Sequence, residues 1–519
     1  MKSSPLTRAL SWLAGSEAGS DSFFLTRFVF LRLLGVVYFF AFLSLAQQAI
    51  PLIGHHGLLP AHIHLEIVRE NSASNLEAWT RLPTIFWVSV SDSWLQGFAW
   101  LGVALSLLVV LGFANGVLMA LLWALYLSFV HVGQEWYAFG WEIQLLETGF
   151  LAVFVCAPLD PRPFPRREAP KPTIWLLRWL IFRIMLGAGL IKIRGDSCWR
   201  DLTCLLYHYE TQPLPNPLSR YFHFAPAWFH ELGCLATHFA ELFAPFFVFG
   251  PPRVRRAAGV VIVSFQGVLI ASGNLSFLNY LTICPAIACF DDGFLGRLLP
   301  RRLVAAAEAA RGGARSSRAQ LYFSAGLLAV VGWLSIAPVS NLLASHQVMN
   351  TSFDPLHLVN TYGAFGSVGR ERFEIILEGT DDPEPGPSTV WRAYELKAKP
   401  GDPDRRPPVV APYHYRVDWL IWFAAMQSPS EHPWLIHLIW KLLHNDPLAL
   451  DLIANQPFPG KPPRWIRADL YRYRFAPLGS GSWWTRERIG PWLPALSGED
   501  DDLRRFIASR GWLDPELPK

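Results

Sequence analysis

Several ionisable side chains lie inside long apolar stretches, where a charge is costly and marks either chemistry or pairing. The candidates are Glu142 and Glu147 in one stretch, Glu231, His238 and Glu241 in another, Lys192 near the end of a third, and Asn274 at a turn. Basic residues in these stretches include Arg27, Arg32, Arg178 and Arg183. One hypothesis is a polar cavity that binds a substrate or moves protons. The interpretation we favour is structural ion pairing between helices, the usual fate of such groups.

Spacing adds one detail to this set. Glu231, His238 and Glu241 are seven and three residues apart, which predicts that they share one helix face. A cavity lined by this face and by Lys192 would suit proton transfer. If the acidic side chains on this face pair with basic side chains of another helix, the face would instead hold two helices together.

Metal and cofactor chemistry have little support. His55, His56, His62 and His64 are dense enough to suggest zinc or copper, but no cysteine or carboxylate pattern completes a site. We therefore predict no metal and no cofactor. The GxSxG, HExxH, Walker A and GxGxxG motifs are all missing, which argues modestly against a hydrolase, although membrane enzymes often lack such patterns. A net charge of +4 is too small to indicate nucleic-acid binding.

The composition indicates that a large part of the chain lies in a membrane. The 519 residues are 52% hydrophobic and only 17% charged, against about 25% charged in soluble domains. A membrane-spanning helix needs roughly 20 apolar residues. Nine stretches meet or approach that length: Phe23–Leu45, Trp94–Phe113, Asn115–Val132, Trp141–Leu159, Thr173–Ile193, Pro226–Phe249, Ala257–Ser272, Leu275–Phe290 and Gln320–Pro338. The fold class is therefore mostly α, with about nine spans. Ala9–Gly15 is too short for a signal peptide, so Phe23–Leu45 is expected to act as a signal anchor.

Charge predicts the orientation, because short cytoplasmic loops accumulate Lys and Arg. The basic loops are Asp160–Pro172, Gly250–Arg256 and Asp291–Ala319, and nine spans place all three on one side. We expect a transmembrane domain at 1–339 with extracytoplasmic loops at 46–93 and 194–225. Residues 340–519 are then an extracytoplasmic C-terminal domain.

The C-terminal domain has mixed composition. Predicted strands are Phe373–Leu377, Trp391–Leu396 and Leu470–Phe475, and predicted helices are Val417–Met426 and Trp434–Ile453. These elements indicate a small α+β or β-sandwich-like domain.

The richest segment is Lys192–Pro217, which is polar, aromatic and punctuated by proline. Cys198 and Cys204 lie on the predicted outer side, where a disulfide is plausible if the geometry allows it. Three prolines favour an extended backbone that would point Gln212 and Asn216 outward. Such a segment suits protein contact. Packing on the helices as a re-entrant loop is as good an interpretation.

These blocks resemble the lipase maturation factor family. The matching segments are 192–217, Ser219–His223, Ala271–Tyr280, Asn360–Gly369 with Glu374–Thr380, and Pro412–Ala425. The first 130 residues match more loosely. The resemblance implies a multi-pass membrane protein of the endoplasmic reticulum that helps homodimeric secreted lipases, such as lipoprotein lipase, to fold and assemble. It also implies that a lumenal loop and the C-terminal domain contact the client.

On this resemblance we predict a client-binding surface. Its candidates are Tyr207, His208, Tyr209, Glu210, Gln212, Asn216, Asn360, Tyr362, Phe365 and Asp418. The alternative for Asp418 is a pair with Arg416 or a helix cap. The partners are then a secreted lipase or another exported protein, together with membrane lipids.

Two features depart from the animal pattern. Eight Lys stand against thirty-seven Arg, and Glu516–Lys519 is no KDEL-type signal. Both favour a bacterial member in the inner membrane, with its C-terminal domain in the periplasm. In a eukaryote the domain would be in the lumen of the endoplasmic reticulum, and the sequons at Asn274 and Asn350 would matter.

The alternative function is a membrane enzyme that acts on a lipid, a quinone or an exported substrate. A helical membrane domain followed by an extracytoplasmic β-rich domain resembles vitamin K-dependent carboxylases in layout only. Lys192 would be a desolvated base, with His238, Glu241 and Glu142 nearby. A polar mid-membrane pocket would favour this enzyme, whereas a space filled by Phe and Leu would favour the maturation factor.

Overall fold

The computed structural model describes residues 22–313 and 318–514, with no account of the side chains of 318–321. The segments Ala9–Gly15 and Glu516–Lys519, on which two expectations rest, lie outside the described residues.

Helices make up most of the described chain. In order they are α1 Phe24–Ile53, α2 Ala61–Glu70, α3 Asn75–Arg81, α4 Asp92–Leu111, α5 Gly116–Val132, α6 Gly140–Val155, α7 Lys171–Arg194, α8 Ser197–Arg200, α9 Leu205–Thr211, α10 Pro217–His223, α11 Ala227–His238, α12 Pro252–Ser272, α13 Leu278–Ala286, α14 Asp292–Leu295, α15 Arg301–Gly312, α16 Arg318–Leu334, α17 Ile336–Leu343, α18 Arg416–Ala424, α19 Pro433–Leu443, α20 Pro447–Asp451 and α21 Asp501–Ser509. The prediction of a mostly α, multi-pass membrane protein is confirmed.

The expected count of about nine spans is not confirmed. Six stretches of the described chain are long and apolar enough to cross a membrane: Phe24–Ile53, Asp92–Leu111, Lys171–Arg194, Ala227–Phe249, Pro252–Ser272 and Tyr322–Leu343. The other three predicted spans form shorter helices, because α5 has 17 residues, α6 has 16 and α13 has nine. A helix rises about 1.5 Å per residue, so these three fall short of a hydrocarbon core about 30 Å thick.

Close packing between α1 and α4 builds one side of the membrane domain. Gly102 makes this possible, because a Cβ at that position would lie 2.4 Å from the Cγ of Phe42. Helix α4 then ends at Gly112, whose φ of +118° places it in the left-handed region that terminates many helices.

The predicted common face of Glu231, His238 and Glu241 is wrong. Glu231 is exposed, His238 is half-buried and Glu241 is buried. A π-helical turn over Phe239–Phe243 follows α11 and changes the direction of later side chains. Pro245 supplies a reason for the irregularity, because it has no N–H to continue an α-helical ladder.

After the membrane helices comes one antiparallel sheet of four strands. The strands are β1 Arg372–Thr380, β2 Arg392–Tyr394, β3 Trp465–Phe475 and β4 Trp484–Ser497, in the spatial order β2-β1-β3-β4. All three predicted strands are present, and Ile375 lies opposite Leu470. Helices α18 and α19 pack against β1 and β3. The described residues therefore form an α+β arrangement, not a sandwich of two sheets.

The region after residue 340 packs directly on the membrane helices. Gln48 of α1 donates to the carbonyl of His414 at 2.7 Å and accepts from the backbone N–H of Arg416 at 3.0 Å. His437 of α19 lies 2.8 Å from the carbonyl of Leu58. A single apolar core runs through both regions. The segment around α18 thus fixes the sheet relative to the membrane domain.

Candidate functional site

The loop 194–225 begins with a closed disulfide. Cys198 and Cys204 are bonded, as the sequence suggested. Asp196 accepts from the backbone N–H of Cys198 and pairs with Arg370, in each case at 3.0 Å. The loop is therefore tied at its start to the segment that leads into β1.

Arg372, the first residue of β1, holds the middle of the loop. Its guanidinium donates to the carbonyls of Glu210, Gln212 and Pro213 at 2.5–2.9 Å. The same group pairs with Glu374 at 2.5 Å, and Glu374 pairs with Lys399 at 2.7 Å. All of these charged side chains are buried. One arginine therefore carries most of the polar contact between loop and sheet.

Two further contacts join the loop to the far end of β3. The Glu210 carboxylate accepts from the backbone N–H of Phe475 at 2.7 Å. Burial raises the pKa of Glu210, opposed by that N–H and by Arg372. Arg220 of α10 donates to the carbonyls of Ala476 at 2.9 Å and Pro477 at 2.5 Å. The loop is thus packed as part of the domain.

Gln212 and Asn216 do not point outward, so that expectation is wrong. Gln212 donates to the carbonyl of Ser272 at 2.8 Å, and Asn216 donates to that of Ala271 at 3.1 Å. Asn274 lies beside them, donating to Pro408 at 2.9 Å and accepting from the N–H of Val410 at 2.8 Å. The extended backbone presents amides inward because the end of α12 has free carbonyls to satisfy.

Glu142 pairs with the C-terminal domain. Its carboxylate accepts from Arg416 and from the hydroxyl of Tyr126, and both members of the ion pair are fully buried. Arg416 also donates to the carbonyl of Trp136 at 2.7 Å and lies 3.8 Å from the ring centre of Tyr137. This pair connects α6 to α18 across the boundary between the two regions.

Glu147, one turn further along α6, makes the second buried pair, with Arg183 of α7. Its carboxylate also accepts from the Tyr362 hydroxyl at 2.7 Å and from the Asn360 N–H at 3.0 Å. Arg183 donates to the Asn360 carbonyl at 2.7 Å. Asn360 and Tyr362 thus act within the chain, fixing the segment before β1.

Lys192 and Glu241 form the third pair, with the Lys192 Nζ 2.6 and 2.7 Å from the two carboxylate oxygens. Trp199 lies beside Lys192 and donates its indole N–H to the Phe365 carbonyl at 2.8 Å. His238 lies 2.9 Å from the Trp199 carbonyl. The structure therefore brings these groups together, while Glu142 pairs elsewhere. This geometry agrees with the favoured interpretation, in which the charged side chains inside the membrane domain form structural ion pairs.

Eight of the ten predicted client-binding residues are buried, and only Tyr207 and Phe365 are half-buried. Asp418 neither pairs with Arg416 nor caps α18, but accepts from the backbone N–H groups of Ala398 and Lys399 at 2.5 and 3.0 Å. Exposed apolar side chains, which the sequence did not single out, lie at the end of the loop and the start of α11. This patch consists of Leu218, Tyr221, Phe224 and Trp228. Its only sequence signal was the matching block Ser219–His223.

Within the described part of the chain, no set of three or more possible metal ligands includes the histidine cluster. His55 stacks on His62 with ring centres 4.4 Å apart, and His56 pairs with Asp514 at 3.0 Å. Among the described residues, the single close group of possible ligands is Asp196 with Cys198 and Cys204. Both sulfurs of that group are in the disulfide, whereas cysteine binds metals as the thiolate.

Comparison with known proteins decides the family. Residues 25–297 match the family described as lipase maturation factor transmembrane domain, and 358–494 match the lipase maturation factor C-terminal domain. Lipase maturation factor 1 of Bos taurus is 50% identical over 96% of this chain and 93% of its own. The chain belongs to the lipase maturation factor family.

Other members of the lipase maturation factor family agree over similar lengths. Lipase maturation factor 1 of Homo sapiens is 48% identical over 96% of this chain and 92% of its own. Lipase maturation factor 2 of Homo sapiens is 30% identical over 95% of this chain and 86% of its own. No solved structure matches. These relatives are animal proteins, so they lend no support to the expected bacterial source.

One pH effect follows from the loop of this lipase maturation factor homologue. Burial, with a smaller effect of Lys192, lowers the pKa of His208 to about 4. The unfolded chain then binds the proton first, so His208 costs stability as the pH falls from about 6.5 to about 4. Replacing His208 with Gln should reduce the slope of unfolding free energy against pH there by up to about 1.4 kcal/mol per unit. Denaturant unfolding at pH 4.5–7.5 tests this, and equal slopes would contradict it.

Proposed function

We propose that this chain is a membrane-anchored maturation factor that assists the folding or assembly of a secreted lipase. The observation that carries this proposal is the identity of about half of all residues with lipase maturation factor 1 over nearly the whole chain. The chain would have no catalytic chemistry of its own, and would act by binding.

We propose the client surface at the face where the loop meets the sheet. The buried candidates Gln212, Asn216 and Glu210 would position this face. The half-buried Tyr207 and Phe365 would contribute at its edge, and the exposed patch at Leu218, Tyr221, Phe224 and Trp228 would make the contact. Exposed aromatic clusters are common anchors of protein interfaces.

The compartment we propose is the endoplasmic reticulum, with residues 340–519 in the lumen as one domain. Support comes from the animal relatives and from the disulfide in the loop that packs on this domain. A binding protein for secreted clients must present its surface to the compartment in which they fold.

Engineered glycosylation sites test this orientation. Pro387 is exposed in the loop between β1 and β2, and Pro387→Asn creates an acceptor with Ser388 and Thr389. Expressed in animal cells, this variant should gain a glycan that endoglycosidase H removes. Ala314→Asn, which creates an acceptor in a predicted cytoplasmic loop, is the control and should stay unmodified. The opposite pattern would reverse the proposed topology.

Co-expression tests the function. In cells lacking maturation-factor activity, this chain should restore the secretion of active lipoprotein lipase. Tyr221→Asp should reduce the activity secreted by about tenfold, since charge in an aromatic anchor removes a contact worth 1–2 kcal/mol or more. Val390→Asp is the matched control, because Val390 is also exposed and lies near the opposite end of β3. The proposal would be contradicted if cells without the factor secreted fully active lipase, or if both variants reduced the secreted lipase activity equally.

The membrane-enzyme alternative is not favoured. Its proposed base, Lys192, is held by both oxygens of Glu241, and most of the residues that line the cavity beside the pair are apolar.

A further inference from the structure

Two adjoining cavities lie between the membrane helices and the segment before β1. Their volumes are about 520 and 540 Å³, each within the range of about 300–1,000 Å³ typical of ligand sites. They share seven lining residues, among them Glu241, Leu278 and Asn279. The two cavities therefore lie side by side, and we call them the first and the second lobe.

The second lobe opens sideways toward the membrane. Leu232 and Phe239 on one helix and Val268 on the next line this lobe, and each is about half exposed on the outer surface of the protein. The two helices, Ala227–Phe249 and Pro252–Ser272, are both long enough to span the bilayer. These side chains line the cavity and also lie on the outer surface that faces the membrane. They therefore mark a lateral entrance to the second lobe.

The extracytoplasmic end of the second lobe carries two buried polar side chains without a partner. His208 and Asn279 are 6% and 3% exposed, and both line the lobe. Among the described residues, neither the His208 ring nor the Asn279 carboxamide has a hydrogen-bond partner. Buried polar groups are usually satisfied, so both side chains are available to bond to a group that enters the lobe.

The extracytoplasmic end of the second lobe carries no net charge. Lys192 lines the same lobe and is paired with Glu241. His208 is uncharged near neutral pH, because burial lowers its pKa to about 4. Neutral imidazole can donate one hydrogen bond and accept one, and a carboxamide can donate two and accept at its oxygen. The head group that fits is therefore uncharged and contains both hydroxyl and carbonyl oxygens.

We propose that this space binds an uncharged acyl lipid of the diacylglycerol type, which enters sideways from the extracytoplasmic leaflet. The hydroxyl and ester groups bond to His208 and Asn279, and the acyl chains fill the apolar lobes. Anionic lipids are disfavoured because no unpaired cation of the described residues lines the lobe. The inference concerns the membrane domain and does not depend on the identity of the client.

Photolabelling of the full chain in nanodiscs tests the proposal. The probe is a diacylglycerol with a diazirine in one acyl chain, and labelled peptides are identified by mass spectrometry. We expect labels on the peptides that contain Phe239 and Val268. A double variant, His208→Leu with Asn279→Leu, should bind the probe about tenfold more weakly, since it loses two buried hydrogen bonds.

A pair of tryptophan variants separates the cavity from general lipid contact. Both positions are exposed on the same helix, but Ser264 lines the second lobe, whereas Gly267 does not line it and has open space around it. Ser264→Trp should abolish labelling, and Gly267→Trp should leave it unchanged. Equal labelling in both variants would mean contact with surrounding lipid only and would overturn the proposal. Equal competition by phosphatidylglycerol or a quinone would overturn the assigned head group.

Discussion

Replacing Arg416 with methionine is expected to destabilise the protein by about 3–5 kcal/mol, the usual cost of leaving one member of a buried ion pair uncompensated. The Glu142 carboxylate would remain fully buried and bonded to the Tyr126 hydroxyl, but without its cation. Arg416 also spans the boundary between α6 and α18, so its loss should loosen the C-terminal domain from the membrane helices. Thermal unfolding in detergent, followed by tryptophan fluorescence, measures the effect.

The matched control is a double variant. Adding Glu142→Gln to Arg416→Met removes the uncompensated charge, while the amide can still bond to Tyr126. We expect the double variant to recover most of the lost stability, because a buried pair is often no better than neutral groups of similar volume. A double variant as unstable as the single one would show that packing of the Arg416 side chain, not the charge, is decisive.

The second large effect is expected at Arg372. Arg372→Gln removes most of the donors that reach the carbonyls of Glu210, Gln212 and Pro213, and it leaves Glu374 with Lys399 alone. The cost should be about 3–5 kcal/mol. Local opening of the loop should precede global unfolding. Hydrogen exchange of residues 205–216 should rise well before that of β3.

A surface arginine provides the control for this experiment. Arg474 is exposed on β3 and only loosely paired with Glu371, at 3.8 Å. Arg474→Gln should change stability by less than about 1 kcal/mol, as is typical of surface pairs. Secretion of active lipase should fall with Arg372→Gln and persist with Arg474→Gln. Unchanged exchange in the loop of the Arg372 variant would contradict its assigned role.

The architecture was largely predictable because it depends on local patterns. Apolar length located the membrane helices, and period-two alternation located β3, where Tyr471, Tyr473 and Phe475 alternate with arginines. Helix length was less predictable, because hydrophobicity continues past the point where a helix ends. The stretch from Trp141 shows this, since its helix stops at Val155.

The candidate site was less predictable because its contacts join distant parts of the chain. Glu142 and Arg416 are 274 positions apart, and Glu210 and Phe475 are 265 apart. A single sequence shows that such charges need partners but cannot show which ones they find. Gln212 was assigned to the surface because the prolines that follow it favour an extended backbone, which would point its side chain outward. The free carbonyls at the end of α12, which reverse this, are visible only in three dimensions.

Crosslinking at Tyr221 tests the central claim most directly. A photo-reactive amino acid would replace Tyr221 in the full chain, with Val390 as the matched exposed position near the other end of the sheet. In cells that secrete lipoprotein lipase, irradiation should yield a covalent adduct with newly made lipase at Tyr221 and little at Val390. The absence of a lipase adduct at Tyr221, in a factor that still restores lipase secretion, would contradict the proposed client surface.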